Sequence, residues 1–150
     1  MADPHLMFWG PSWAWGLPVI VLTVVLHVSG LRAIRRAIES APSNSLRSRM
    51  PGVARTVIPG VVVLLVTCLH ALEAAMWAEV YVIIGVLPGR RWAMIYSLGT
   101  MTAFGGSGYE LTPGWRMLGP IEALNGLILF GLTTAFLFGV IERAWQTPEE

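Results

Sequence analysis

The chain has 150 residues, of which 55% are hydrophobic and only 13% charged, with a mean hydropathy of +0.63. That balance excludes an ordinary soluble domain and describes a membrane protein. Net charge is +1, every one of the ten cationic residues is Arg, and six of them lie between Arg32 and Arg55, so no nucleic-acid patch is implied.

The first predicted element is Ala14 to Leu31, 18 uncharged residues whose only strongly polar member is His27. At about 1.5 Å per residue this covers most of a bilayer core. No Lys or Arg precedes it, which is unlike a cleaved signal peptide. Trp9, Trp13 and Trp15 cluster at its start, where an interfacial aromatic belt would lie. Arg32 to Arg55 sets six Arg against Glu39 alone and includes the turn-forming run Ser40-Ala41-Pro42-Ser43-Asn44-Ser45. The positive-inside rule makes this the cytoplasmic loop and puts the N-terminus outside.

Val57 to Leu87 is a second apolar run of 31 residues, interrupted by His70, Glu73 and Glu79 and containing Cys68. A lone thiol in apolar surroundings excludes a disulfide framework and reads as buried and inert. Trp92 to Phe104, only 13 residues, has the length of a re-entrant segment and leads into Gly105-Gly106-Ser107-Gly108. Met117 to Ile141 is a third span of 25 residues, with Glu122 and Asn125 near its start and Glu142-Arg143 after it. By side, seven Arg fall inside and three (Arg90, Arg91, Arg116) outside. The expected organisation is an outside segment and first span over 1–31, a cytoplasmic Arg-rich loop over 32–56, and a module over 57–150 that the resemblance given below implies is pore-type, with the N-terminal segment periplasmic. This is an all-α integral membrane fold of three transmembrane helices, with a re-entrant half-helix and loop between the second and third. Such a loop can expose carbonyls at membrane depth only where they line a watery cavity, which three crossings need symmetric copies to enclose. Half-helix C-termini would then aim partial negative charge at a cation.

His70, Glu73 and Trp77; Tyr96 and Ser97; Thr102 and Gly105; Trp115, Arg116, Leu118 and Gly119; and Glu122, Ala123, Asn125 and Gly126 together resemble the two-helix-plus-pore-loop ion channels, the superfamily that includes potassium channels. The likeness is closest to small proteobacterial members with an extra N-terminal helix and covers about the last 90 residues. It implies a homotetrameric cation channel in a bacterial inner membrane, with Thr102, Ala103, Phe104, Gly105, Gly106, Ser107 and Gly108 as the filter-like loop and His70, Glu73, Trp77, Tyr96, Glu122 and Asn125 supporting the pore. Where potassium channels have Thr-Val-Gly-Tyr-Gly, this chain reads Ala103-Phe104-Gly105-Gly106-Ser107. Loss of the hydroxyl ligand, a large ring at Phe104 and flexible glycines imply altered or weak selectivity. Phe104 could plug the axis or lock the loop against the pore helix.

His70, Glu73, Trp77 and Tyr81 fall on one helical face. Glu73 reads either as a functional intramembrane acid or as an anchor hydrogen-bonded to a neighbouring backbone behind the pore helix. Glu122 reads as a capping and packing group or as part of a cation-attracting ring. Gly131, Ala135 and Gly139 have the spacing of close helix packing. His27 or His70 could each ligate a tetrapyrrole, but not one together: counted from the inner ends of their helices they differ in depth by very roughly 13 Å. No catalytic triad, phosphate loop or zinc motif is present, and no enzymatic activity or cofactor is expected, only monovalent cations in transit. The alternative to a channel is a non-conducting, channel-derived accessory or structural subunit of a larger inner-membrane complex. The helix before the pore pair has no regular Arg ladder for voltage sensing.

Overall fold

A computed structural model of the chain describes residues 10–40, 51–105 and 108–145. Trp9, Gly106, Ser107 and the turn-forming residues 41–45 lie outside the described residues. Among the described residues there are four α-helices, one 3-10 turn and no strands: α1 Gly10–Ser40, α2 Pro51–Ile84, α3 Arg90–Met101, the 3-10 turn Pro113–Trp115 and α4 Leu118–Trp145. The segments containing α1, α2 and α4 are long and apolar enough to cross a membrane. Val21, Val25, Leu64, Leu72, Leu127 and Phe138 are exposed on them, an exterior that suits lipid and not water.

Two boundaries differ from expectation. α1 does not end where its apolar run ends, because Ala33, Arg35, Arg36 and Ala37 are good helix formers and carry the helix on to Ser40, with Arg35 paired to Glu39 at 2.8 Å. α2 likewise begins at Pro51, a residue suited to a first helical turn. Much of the Arg-rich section is therefore helical. α2 stops at Gly85, which takes a left-handed φ of 77°, while Gly85 N–H donates to the Val82 carbonyl and Val86 N–H to that of Tyr81. That is a helix-terminating pattern in which glycine carries no Cβ penalty.

Side-chain contacts fix the directions. His27 meets Glu73 and Gly30 meets Leu69, so α1 and α2 are antiparallel. Tyr81 meets Glu122 and His70 meets Thr133, so α2 and α4 are antiparallel too. α3 starts beside the C-terminal part of α2, where Arg90 pairs with Glu79 at 2.7 Å, a hydrogen bond and charge that raise the Arg90 pKa above its ordinary value. From there α3 runs parallel to α4, with Tyr96 against Gly119, Ser97 against Glu122 and Met101 against Gly126. Twelve residues make it about 18 Å long. Its last residue, Met101, packs with Ala74 and Leu129 in the middle of the bundle. One core lies above that level around Trp77, Tyr81 and Ile121, and another below it around Leu31, Val62 and Val66.

Two packing expectations are corrected. Side chains added at Gly131 and Gly139 would meet nothing within 4 Å, so neither glycine marks a close approach to another helix of this chain. The close approaches are elsewhere: Gly16 on Ile121, Gly30 on Leu69, Gly119 on Tyr96 and Gly126 on Met101. Cys68 is exposed, because it lies on the outward side of α2 away from the Val62 and Val66 stripe.

Candidate functional site

Three polar layers cross the apolar bundle, and each joins helices that are distant in sequence. The first is centred on Glu122 of α4, which is fully buried. Tyr81 of α2 donates its hydroxyl to Glu122 Oε2 at 2.6 Å, and Ser97 of α3 lies in hydrogen-bond contact with Glu122 Oε1. The Ser97 hydroxyl also reaches the Ala74 carbonyl of α2 at 2.7 Å. A hydroxyl has one proton, and whichever oxygen takes it, Ser97 is the point where α3 is tied to both long neighbours. Tyr96 packs its ring edge-on to Tyr81, with centroids 5.0 Å apart. Its hydroxyl would come within 2.7 Å of a Cβ at Gly119. Glu122 therefore faces protein and not open solvent, packed against α2 and α3 through Tyr81 and Ser97.

In the second layer, Asn125 Nδ2 donates to Thr23 Oγ1 at 2.9 Å, joining α4 to α1, and Thr23 in turn donates to the Val19 carbonyl at 2.9 Å.

The third layer holds His27, His70, Glu73 and Thr133. His27 and Glu73 are wholly buried, and the His70 side chain is 13% exposed. Glu73 Oε1 lies 2.8 Å from His27 Nδ1, and Oε2 lies 3.1 Å from His70 Nδ1 without hydrogen-bond alignment. On the far side of the two rings, Thr133 Oγ1 lies 3.0 Å from His70 Nε2 and 3.2 Å from His27 Nε2. The ring centroids are 5.1 Å apart. The expected depth difference between the histidines is thus overturned: it was counted from apolar boundaries, whereas α1 and α2 both continue past them as helix. The backbone anchor expected for Glu73 is corrected as well, since its carboxylate turns to two imidazoles. Every ring nitrogen of both histidines lies within 3.2 Å of Glu73 or Thr133.

His70, Glu73, Trp77 and Tyr81 do share one face of α2, and the last three are buried. Ser97 and Thr133 were not given these roles by the sequence reading. Thr133 had a signal, because Glu122, Asn125, Leu129 and Thr133 recur at the three-and-four spacing of one helical face.

The filter-like loop is separate from these layers. Thr102 turns its hydroxyl back on α3, 2.8 Å from the Leu98 carbonyl and 3.2 Å from that of Gly99. Gly105 N–H also donates to Gly99 O, at 3.1 Å. Ala103 adopts a φ of 55°, and Gly105 and Gly108 take 65° and 68°. Phe104 is 84% exposed, so within the chain it is not locked against α3.

Comparison of the chain with protein-family models, with curated proteins and with solved structures gives no match in any of the three.

Proposed function

We propose that the chain is the pore-forming subunit of a homotetrameric cation channel with weak selectivity, in a bacterial inner membrane with its N-terminus outside. The observation that carries this reading is the placement of α3. It lies parallel to α4, wedged against α2 and α4, and ends halfway down the bundle at Gly126 and Met101. An exposed turn with left-handed backbone at residues 103, 105 and 108 follows. As a re-entrant half-helix it would direct its negative dipole end toward a shared axis, where four copies enclose the cavity that such a loop requires. The Gly131, Ala135 and Gly139 stripe, where added side chains at either glycine would meet nothing within 4 Å, offers a close-packing surface to a second copy. Stoichiometry is the first test, by mass measurement of the particle in native nanodiscs. Four copies with cation flux into liposomes, sodium passing nearly as well as potassium, are expected; a single copy per particle removes the proposal.

The accessory-subunit reading draws on one observation of its own. Thr102 is engaged with α3 and Phe104 is bare, so the loop carries a large apolar side chain where a conducting filter presents oxygen. Absence of flux in both the parent chain and Phe104→Val, with tetramers intact, is the result that selects it.

A further inference from the structure

We propose that His27, His70 and Glu73 form a binding site for a divalent d-block cation of the zinc class, which staples α1 to the α2–α4 pair. Their donor atoms, one from each residue, all lie within 4.8 Å of one another. Two imidazoles and one carboxylate are a donor set that zinc accepts, with bonds of about 2.0–2.2 Å that place neighbouring donor atoms about 3.3 Å apart. Glu73 presents one oxygen to each imidazole, Oε1 at 2.8 Å from His27 Nδ1 and Oε2 at 3.1 Å from His70 Nδ1, so both rings turn the same nitrogen toward the carboxylate. An ion bound there would draw the two nitrogens and one carboxylate oxygen from within 4.8 Å of one another to that spacing.

Two further features point the same way. Glu73 Oε2 and His70 Nδ1 are buried and face each other, yet neither has a hydrogen-bond partner among the described residues. Buried polar atoms are nearly always satisfied, and a shared cation would satisfy both. Thr133 supplies the second feature. When both Nδ1 atoms bind metal, both Nε2 atoms must carry protons, and the Thr133 oxygen, 3.0 Å and 3.2 Å away, has two lone pairs to accept them. It therefore holds the two imidazoles in the metal-binding tautomer, the role that groups behind a metal's ligands commonly play. Without a metal, Nδ1–H tautomers on both rings would leave two Nε2 acceptors competing for the single Thr133 proton. Three protein ligands would leave a fourth position on the ion.

This proposal is independent of the channel reading. Its test is the unaltered full-length chain, purified in detergent with a tag that lacks histidine, loaded with zinc chloride, desalted and analysed for metal. One zinc per chain is expected, with a melting temperature that falls on chelation and a four-coordinate visible spectrum when cobalt replaces zinc. Thr133→Val, which keeps all three ligands, should weaken zinc binding by about 10–100-fold. His27→Ala with His70→Ala should abolish it. Less than one zinc per ten chains in the folded parent protein overturns the site and leaves a hydrogen-bonded His–Glu cluster in its place. Zinc retained by the double variant equally overturns it.

Discussion

Gly126 of α4 lies directly on the Met101 carbonyl at the end of α3, so closely that a Cβ there would come within 2.0 Å of the oxygen. A carbonyl is backbone and cannot rotate away as a side chain can. Gly126→Ala should therefore displace α3 from α4 at a cost of about 3 kcal/mol, as overpacking does in a filled core. Gly131→Ala, which meets nothing, is the control and should be neutral or slightly stabilising in the isolated chain. Denaturant unfolding in detergent compares the two; equal stability would show that α3 does not seat against Gly126.

Ala103 is the one non-glycine residue among those described that has a positive φ. The left-handed region costs an L-residue roughly 1–2 kcal/mol that glycine does not incur. Ala103→Gly should accordingly stabilise the chain, by about 1 kcal/mol after the greater freedom of the unfolded glycine is subtracted. An unchanged or lower midpoint would mean that the turn at 103 is not left-handed in the folded protein.

Tyr81→Phe removes the donor to Glu122 Oε2 while keeping the ring. A buried carboxyl oxygen left without its partner should lower stability by about 1–3 kcal/mol. Ser97→Ala should cost a similar amount and additionally loosen α3, detectable as faster hydrogen exchange over Arg90–Met101. Protection of α3 unchanged in Ser97→Ala would contradict the assignment of Ser97 as its tether.

His27 and Glu73 should be coupled although 46 residues separate them. In a double-mutant cycle with His27→Ala and Glu73→Gln, an interaction energy of about 1–3 kcal/mol is expected for a contact of this kind. Additive effects would mean that α1 is not docked on α2 at this layer.

Cysteines placed at Asn44 and at Thr112, in a Cys68→Ala background, should react with an impermeant thiol reagent from opposite faces of the membrane. Cys68 has to be removed because it is exposed on the outer side of α2. Labelling of both sites from one face would overturn the proposed topology.

The spans were legible because 18 or more consecutive apolar residues have few stable alternatives to a helix in lipid. The α2 face of His70, Glu73, Trp77 and Tyr81 was legible for the same reason that any helical stripe is: spacing alone puts those residues together. What spacing could not supply was the partner. Pairing His27 with Glu73 depends on how far α1 slides along α2, and that is set by close approaches such as Gly30 on Leu69, which a single helix's pattern does not contain. Reading depth from the last apolar residue failed at Leu31 because Arg and Ala continue a helix as readily as Leu. The small-residue stripe at Gly131 has the same limit, since spacing identifies a surface fit for packing and not whether this chain provides what packs there.

The order of the buried groups along the chain has a consequence for biosynthesis. Glu122 follows Tyr81 and Ser97 by 41 and 25 residues, and Glu73 follows His27 by 46. Chains emerge from the ribosome N-terminus first, so each of the two buried acids is synthesised after the side chains that will receive it. An acid entering the bilayer alone is costly, and here its hydrogen-bond partners are already available when it arrives. A permuted chain that made α4 before α2 and α3 would present Glu122 to lipid with neither partner yet made, and should insert less efficiently even though its finished contacts were the same.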